Sequence, residues 1–257
     1  MIEENSNFTH PANNKQKIWR YMDFTKFVDL LYTSSLFFST AEILEDKFEG
    51  SISLPTANAR MEAIQEIYKD IDEKRSDKLA IKLDYTKDPF SPLYQALKKQ
   101  VCINCWHMSE YESAAMWKLY SKSNEGIAIQ STYKRLIGSL SHTDVSIHVG
   151  IVNYIDFENE TFDFGSCLAP YVHKRKSFEH EKELRAFIWA VGGDNEKKCK
   201  VEDGGLKISI DLNELVEKIY ISPSSPKWFT TLIQAMVEKH AHKLKVKSTD
   251  LNIEPLY

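Results

Sequence analysis

The stretch "KSFEHEKELRAFIWA", residues 176–190, decides how this chain folds, because a run of charged side chains leads directly into an apolar segment. If a strand begins near Glu183, its two-residue period places three apolar side chains on one face: Leu184, Ala186 and Ile188. This face predicts burial against a core. The opposite face begins with Glu183 and Arg185, and burying such charges is costly unless they are paired or open to a cleft.

The segments around this strand predict a single α+β domain. Apolar segments of strand length recur along the chain, among them "VCINCW", "GIAIQS", "LKISIDL" and a longer one at 145–157. Helical patterns lie between them, one after the N-cap residue Asp23 and another that begins at Pro226. No regular βαβ rhythm occurs, which favours a mixed, mainly antiparallel sheet with flanking helices. We expect this domain to span 17–257, after a flexible N-terminal arm at 1–16.

One further helix is predicted to be long and amphipathic, from Thr56 to about residue 82. Its charged half indicates a flank that faces solvent. Pro89 and Pro92 then mark the entry to the next helix.

The composition excludes several classes of protein. A chain of 257 residues can bury a substantial core, and its net charge of −4 gives no overall attraction for nucleic acid. No apolar run approaches the ~18 residues of a membrane span, and the polar N-terminus lacks the apolar segment of a signal peptide. The four cysteines are therefore expected to be reduced. We expect a cytoplasmic protein without a membrane partner.

Cysteine and histidine occur together in "CINCWH", at a spacing that metal ligands can have. Cys102, Cys105 and His107 would supply three ligands, whereas a structural zinc site needs four and the chain has no second CxxC pair. His240 and His242 lie two apart in a predicted helix and so point to different faces. We expect buried structural cysteines and no metal.

Two other segments have side chains that could serve either the fold or a site. In "FFSTAEILEDKFEGS", Ser39 or Thr40 can cap a helical turn, or these hydroxyls can join the carboxylates of Asp46 and Glu49 at a sheet edge. Trp117 has the helical spacing of a core residue, but an aromatic face can also stack on a base or a nicotinamide ring. Both interpretations stay open.

The chain resembles a bacterial and phage family known as domain of unknown function 2971. Five segments carry this resemblance, in this order: "WRYMDFTKFVDLL", "LFFSTAEILEDKFEGS", "CWHMSEYESAAMWKLYSKSNEGIAI", "KSFEHEKELRAF" and "LVEKIYISPSS". The resemblance covers about residues 18–240. It implies one fold unit and assigns no reaction to it.

A second resemblance concerns chemistry. Arginine-type ADP-ribosyltransferases have an Arg on a first strand, then a Ser-Thr-rich strand, then a Glu-x-Glu. This chain has the same residue types in the same order: Arg20 beside Tyr21, Ser39-Thr40, and Glu181-Lys182-Glu183. The resemblance implies that Arg20 supports the NAD phosphate or ribose and that the Ser-Thr strand braces the pocket. It also implies that Glu183 stabilises an oxocarbenium-like transition state, while Glu181 activates the acceptor.

Three hypotheses follow. In the first, the protein is an NAD-using transferase or glycohydrolase in bacterial conflict or defence, with catalytic Glu181 and Glu183. Its candidate NAD-binding residues are Arg20, Tyr21, Ser39, Thr40, Asp46, Glu49, Trp117 and Arg185.

The second hypothesis is a metal-dependent nuclease, with Mg²⁺ held by four carboxylates: Asp46, Glu49, Glu181 and Glu183. The third is a non-catalytic ligand-binding or regulatory module, in which Arg185 pairs with Asp46 or Glu49 in a structural network. Convergence of these residues on an open cleft favours an active site. A closed ion-pair cluster favours the structural role.

Overall fold

The computed structural model describes residues 2–3, 8–74, 91–121, 124–163, 165–241 and 243–256. Its strands are β1 (Ile2–Glu3), β2 (Lys17–Asp23), β3 (Ser35–Thr40), β4 (Val101–Met108), β5 (Gly126–Thr132), β6 (Ile147–Ile151), β7 (Asn153–Ile155), β8 (His173–Arg175), β9 (Glu183–Trp189), β10 (Gly205–Ser209), β11 (Lys218–Ile221) and β12 (Val246–Lys247). Its α-helices are α1 (Phe24–Thr33), α2 (Leu54–Lys74), α3 (Ser91–Lys98), α4 (Ala114–Tyr120), α5 (Tyr133–Leu140), α6 (Leu212–Leu215) and α7 (Lys227–His240). Short 3₁₀ turns occur at Ala41–Ile43, Ala169–Val172, Lys176–Glu181, Gly193–Lys197 and Asp250–Asn252.

The main sheet has the order β1-β6-β9-β4-β2-β5-β11-β12, which places β9 between β6 and β4. Neighbours in this order are antiparallel, except for the parallel pairs β1–β6 and β11–β12 at its two ends. β3 pairs with both β4 and β10, while β7 and β8 form a separate two-stranded sheet. The chain is therefore a single α+β domain with a mixed, mainly antiparallel sheet and flanking helices, and the predicted fold class is confirmed.

Both faces of β9 are covered. The predicted apolar face packs into the largest hydrophobic core through Leu184, Ala186 and Ile188. On the other face, Phe187 belongs to a second core cluster and contacts the ring of Phe8 edge-on. The two-residue period predicted from the sequence is thus present, and the charged half of the second face is enclosed as well.

Local signals place the helices that flank this sheet. The Asp23 carboxylate accepts a hydrogen bond from the Lys26 backbone N–H at 2.9 Å, as expected for an N-cap. α1 then buries Phe27, Leu30 and Leu31 against the sheet. α7 begins directly after Pro226, as predicted. None of the helices in the described ranges is long and apolar enough to cross a membrane.

Three parts of the fold bear on expectations from the sequence. The single strand predicted at 145–157 is wrong, because the chain leaves the main sheet at Val152 and continues as β7, which pairs with β8. α2 begins at Leu54, before Thr56, and the far end predicted for it lies outside the described residues, as does His242. The described residues of the predicted arm contact the domain, since β1 pairs with β6 and Phe8 is buried.

Candidate functional site

The main sheet divides at β4. One edge of β4 pairs with β9, and the opposite edge is shared by two strands. His107 pairs there with Trp19 of β2, whereas Ile103 pairs with Ser39 of β3. β2 and β3 diverge between these two points, so this edge of β4 opens beside residues 104–106.

Two side chains beside this part of β4 donate hydrogen bonds to backbone carbonyls. Asn104 Nδ2 donates to the carbonyl of Phe37 on β3, at 2.9 Å. Arg20 Nη1, from β2, donates to the carbonyl of Cys105, also at 2.9 Å. Burial lowers the pKa of Arg20, and none of the described residues gives this guanidinium a carboxylate partner. Arg20 is thus a half-buried residue whose positive charge has no carboxylate partner in the part of the chain that the structure describes.

Arg185 lies deeper, has no exposed surface, and finds an acceptor for each of its five N–H groups. The Glu49 carboxylate accepts from Nη1 at 2.5 Å and from Nη2 at 2.9 Å. The Glu183 carboxylate accepts from Nε at 2.8 Å and from Nη2 at 3.2 Å. The carbonyl of Tyr171 accepts the fifth bond at 2.8 Å. These two forked ion pairs saturate the guanidinium, so it has no donor left for a ligand.

Glu183 is the second buried member of this arrangement, with 3% of its surface exposed. Its Oε1 also accepts a hydrogen bond from Lys174 Nζ at 2.7 Å. Burial opposes ionisation of this carboxyl, but the charges of Arg185 and Lys174 outweigh burial and hold its pKa well below the ordinary value. Glu183 is therefore ionised at neutral pH. Burial and this nearby carboxylate together raise the pKa of the Cys105 thiol.

Glu181 occupies the outer side of the same lysine. Lys174 Nζ donates to Glu181 Oε2 as well as to Glu183, and the Glu181 side chain keeps 12% of its surface exposed. Burial raises the pKa of Glu181 to about 7, and the hydrogen-bonded Glu183 carboxylate adds to this rise. Two cations in this cluster face three carboxylates: Lys174 and Arg185 against Glu49, Glu183 and Glu181. The cluster is thus neutral only when Glu181 holds a proton.

The backbone around Glu181 is fixed by the end of β4. The Glu181 carbonyl accepts a hydrogen bond from His107 Nδ1 at 2.6 Å, and Met108 N–H donates to the Lys182 carbonyl at 2.9 Å. Lys182 adopts a left-handed conformation with φ of 42°, which ends the 3₁₀ turn and lets β9 start at Glu183. This turn sets Glu181 and Glu183 side by side on one lysine.

Tyr120 completes the outer part of the site from the end of α4, with 47% of its surface exposed. Burial of its phenol raises its pKa, and the charges of Glu181, Cys105 and Glu183 add to the rise. The Arg20 guanidinium interacts with both Tyr120 and Cys105. We call Glu181, Tyr120 and Arg20 the rim, and Glu49, Arg185 and Glu183 the inner network.

Asp46 is separate from both groups. Its carboxylate accepts from Arg175 Nη2 at 2.6 Å and from the Phe48 backbone N–H at 3.0 Å. The Arg175 guanidinium also lies 4.3 Å from the centre of the Phe48 ring. Of the two partners proposed for Arg185, Glu49 is therefore the observed one.

The remaining predicted residues serve the fold. Thr40 is buried on β3, where Ser39 precedes it and pairs with Ile103. Tyr21 and Trp117 form an edge-to-face pair with ring centroids 5.0 Å apart in a separate core cluster. The core interpretation of Trp117 is confirmed, since 3% of its surface is exposed.

The two cysteines of "CINCWH" differ in burial, so the prediction of buried cysteines holds for Cys102. Cys102 is fully buried and Cys105 is partly exposed, and both are free thiols. No group of three or more His, Cys, Asp or Glu side chains within the described ranges is arranged to hold a metal ion. The four carboxylates of the nuclease hypothesis are each paired with a lysine or arginine, which gives that hypothesis no added support.

The sequence interpretation missed two members of this site. Lys174 lies in the three-residue strand β8, which is too short to give a periodic signal, inside the run "HKRK". Tyr120 lies in the segment "CWHMSEYESAAMWKLYSKSNEGIAI", which has no pattern that distinguishes it from the core aromatic residue Trp117. A basic residue seven positions before Glu181 was the one available signal for a lysine partner.

The chain matches no protein-family model and no curated protein. The two resemblances therefore stay hypotheses, and any function has to be argued from the site itself.

Proposed function

We propose that the protein is an enzyme that transfers the ribosyl group of NAD, or of a related nucleotide, from nicotinamide to water, with Glu181 as the base that accepts the proton of the water. The observation that carries this proposal is the pairing of two adjacent carboxylates in different environments. Glu183 is enclosed by Arg185 and Lys174, while Glu181 keeps exposed surface on the outer side of Lys174. Pairs of titratable groups whose pKa values are driven apart commonly mark acid–base assignments in active sites.

The geometry favours a different division of roles from the one that the resemblance to ADP-ribosyltransferases implies. Both oxygens of Glu183 accept hydrogen bonds from Arg185, and one also accepts from Lys174. A ribose hydroxyl could reach Glu183 only by displacing these cations. We therefore assign contact with the substrate to Glu181 and regard Glu183 as a group that adds to the rise in the pKa of Glu181, which burial causes first.

The two carboxylates do not flank a glycosidic bond. In the usual glycoside hydrolases the catalytic carboxyl groups lie about 5–9.5 Å apart, on opposite sides of the sugar. Glu181 and Glu183 instead accept hydrogen bonds from the same lysine, Lys174. A single carboxylate beside the developing positive charge is the arrangement that remains, and Glu181 fits it because it keeps exposed surface and its pKa of about 7 lets it ionise near neutral pH.

The other rim residues supply the contacts that a dinucleotide needs. Arg20 has one carbonyl acceptor and no carboxylate partner among the described residues, which suits the diphosphate of NAD. Tyr120 offers an exposed aromatic ring beside Glu181, which suits stacking on a planar base.

The direct test is release of nicotinamide from NAD by the purified protein. We expect Glu181→Gln to lower the rate by about 100-fold or more, because removing an acid–base group typically costs 10²–10⁴ in rate. The rate for the unmodified protein should rise with pH through an apparent pKa near 7. Glu179→Gln is the matched control, since Glu179 is exposed in the same 3₁₀ turn and should leave the rate unchanged.

Two results would contradict this proposal. One is an unmodified protein that neither binds nor cleaves NAD or related nucleotides. The other is a Glu181→Gln variant that cleaves NAD at the original rate.

A non-catalytic binding module is the second candidate, and the closed inner network is the observation that favours it. Arg185 and Glu49 are fully engaged with each other and with the fold. This candidate predicts that NAD or another nucleotide raises the melting temperature without being consumed. It further predicts that Arg20→Gln abolishes this rise while Glu181→Gln does not.

A further inference from the structure

A cavity of about 370 Å³ lies at the far end of the main sheet, beside β11 and the start of β12. Its wall includes four cationic side chains and a single carboxylate: Arg135, Lys218, Lys243, Lys245 and Glu217. Three strands separate β9 from β11 in the sheet. At about 4.8 Å for each step, β9 and β11 lie roughly 19 Å apart, so this cavity is distinct from the Glu181 site.

The charges in this wall are poorly balanced. Glu217 Oε1 lies 3.6 Å from Lys218 Nζ, which accounts for one cation. Arg135, Lys243 and Lys245 form no ion pair with the residues that the structure describes. A chain whose net charge is −4 thus concentrates unneutralised positive charge around one small cavity.

Arg135 is held rigidly in this wall. Its Nη2 donates to the carbonyls of Asn213 at 2.6 Å and Val216 at 2.8 Å, and its Nε donates to the carbonyl of Leu215 at 3.4 Å. These neutral acceptors orient the guanidinium without cancelling its charge. Nη1 makes no hydrogen bond within the described part of the chain, so its two N–H groups are available to a ligand.

Another lysine-rich cavity, of about 430 Å³, gives a useful contrast. There Lys207 pairs with Asp29 at 2.6 Å, Lys200 pairs with Glu202, and Lys198 donates to the Asp144 carbonyl at 2.8 Å. The ammonium groups of that cavity are engaged by the protein itself. The Arg135 cavity therefore differs in the availability of its cations and not in the mere presence of lysine.

We propose that the Arg135 cavity binds a small phosphate-bearing anion, with two or more linked phosphates. A planar guanidinium with a free edge, together with nearby ammonium groups, is the donor set that phosphate oxygens prefer. The cavity volume lies within the range of small-molecule sites. The cations converge on one cavity and do not form the extended stripe that a nucleic-acid backbone requires.

The test uses the full chain and inorganic pyrophosphate, titrated calorimetrically at low ionic strength. We expect one site, weakened by about tenfold or more in the variant Lys243→Gln/Lys245→Gln, which corresponds to about 1.4 kcal/mol. Both lysines are exposed, so this variant should keep its fold. The matched control is Lys198→Gln/Lys200→Gln, which removes the same charge from the other cavity and should bind pyrophosphate within about twofold of the unmodified protein.

The variant Arg135→Lys tests whether the forked hydrogen bonds of the guanidinium contribute to pyrophosphate binding beyond its positive charge. This variant keeps the positive charge and loses the planar edge of the guanidinium. We therefore expect pyrophosphate binding to weaken although Lys243 and Lys245 remain. Nicotinamide release from NAD should be unaffected in Lys243→Gln/Lys245→Gln, which keeps this inference independent of the proposed reaction.

Three results would overturn the inference. The first is the absence of binding at millimolar pyrophosphate. The second is an equal loss of affinity in the control variant, which would indicate non-specific attraction. The third is binding of single-stranded oligonucleotides that strengthens with their length and displaces pyrophosphate, which would indicate a polymer-binding surface.

Discussion

The inner network and the rim lie next to each other where β9 begins. They differ in how completely the protein pairs their charged groups. In the inner network, Glu49 and Glu183 use all the donors of Arg185 apart from one bond to a carbonyl. On the rim, Glu181 shares a lysine that also serves Glu183. The inner network is closed, and together with Lys174 it is balanced, whereas the Glu181 carboxylate is in excess of the two cations that these residues share.

This difference explains why one region suits structure and the other suits chemistry. A saturated, buried ion pair resists change, since removal of one partner strands an uncompensated charge. A carboxylate in excess can gain or lose a proton near neutral pH without dismantling the pairs beneath it. The same residues that hold the sheet together thus create the unusual environment of Glu181.

Among the variants that distinguish the inner network from the rim, we expect Arg185→Met to have the largest effect on the free energy of unfolding. Loss of the guanidinium leaves Glu49 buried without a partner and Glu183 with Lys174 alone, and such changes cost about 3–5 kcal/mol of unfolding free energy. Urea denaturation followed by circular dichroism measures this loss. Adding Glu49→Gln to this variant should recover part of the loss, because the stranded charge is then removed. A loss below about 1 kcal/mol would show that the inner network does not stabilise the fold.

A smaller effect is expected from Glu181→Gln, and it appears in the pH dependence of stability. The folded carboxyl has a pKa of about 7 against 4.5 for an ordinary glutamate, so between these values the folded chain holds a proton that the unfolded chain has lost. The contribution of this carboxyl to the free energy of unfolding is therefore complete below about pH 4.5. It is lost as the pH rises through 7, and the loss is at most about 3 kcal/mol.

Glu183 acts in the opposite direction and in a different window. Its folded pKa lies well below 4.5, so its contribution is present above that pH and is lost as the medium becomes more acidic. We expect Glu181→Gln to flatten the decline in unfolding free energy between about pH 4.5 and pH 7, while the acid side stays as it was. Urea denaturation across this range checks both parts. An unchanged slope above pH 5 would contradict the raised pKa.

Much of this fold follows from local patterns in the sequence. The period of "ELRAFIWA" predicts both faces of β9, and Asp23 predicts the start of α1, because strand alternation and N-capping depend on near neighbours in the chain. The break at Val152 has no such signal. It arises because β6 and β7 pair with different strands, and pairing partners are distant in sequence.

The candidate site is predictable only in part for the same reason. The sequence indicates that Glu183 and Arg185 need partners, since they share a face with Phe187 in a buried strand. The sequence does not show whether Glu49 or Asp46 is the partner of Arg185. Both carboxylates lie in one loop about 136 residues from Arg185, and the fold of that loop decides which of them reaches the guanidinium. The role of Lys174 depends on β8 packing beside the 3₁₀ turn, which is a tertiary contact.

The smallest effect is expected from Arg175→Met, and it isolates burial as the cause of the difference between two arginine–carboxylate pairs. Arg175 pairs with Asp46 as Arg185 pairs with Glu49, but 36% of the Arg175 side chain is exposed. Asp46 also keeps a hydrogen bond from the Phe48 backbone after the change. We therefore expect a loss of about 1 kcal/mol, typical of a partly exposed pair, measured by the same urea denaturation as for Arg185→Met. If both arginine variants lost the same free energy, burial could not be the reason that the inner network is the more stabilising of the two.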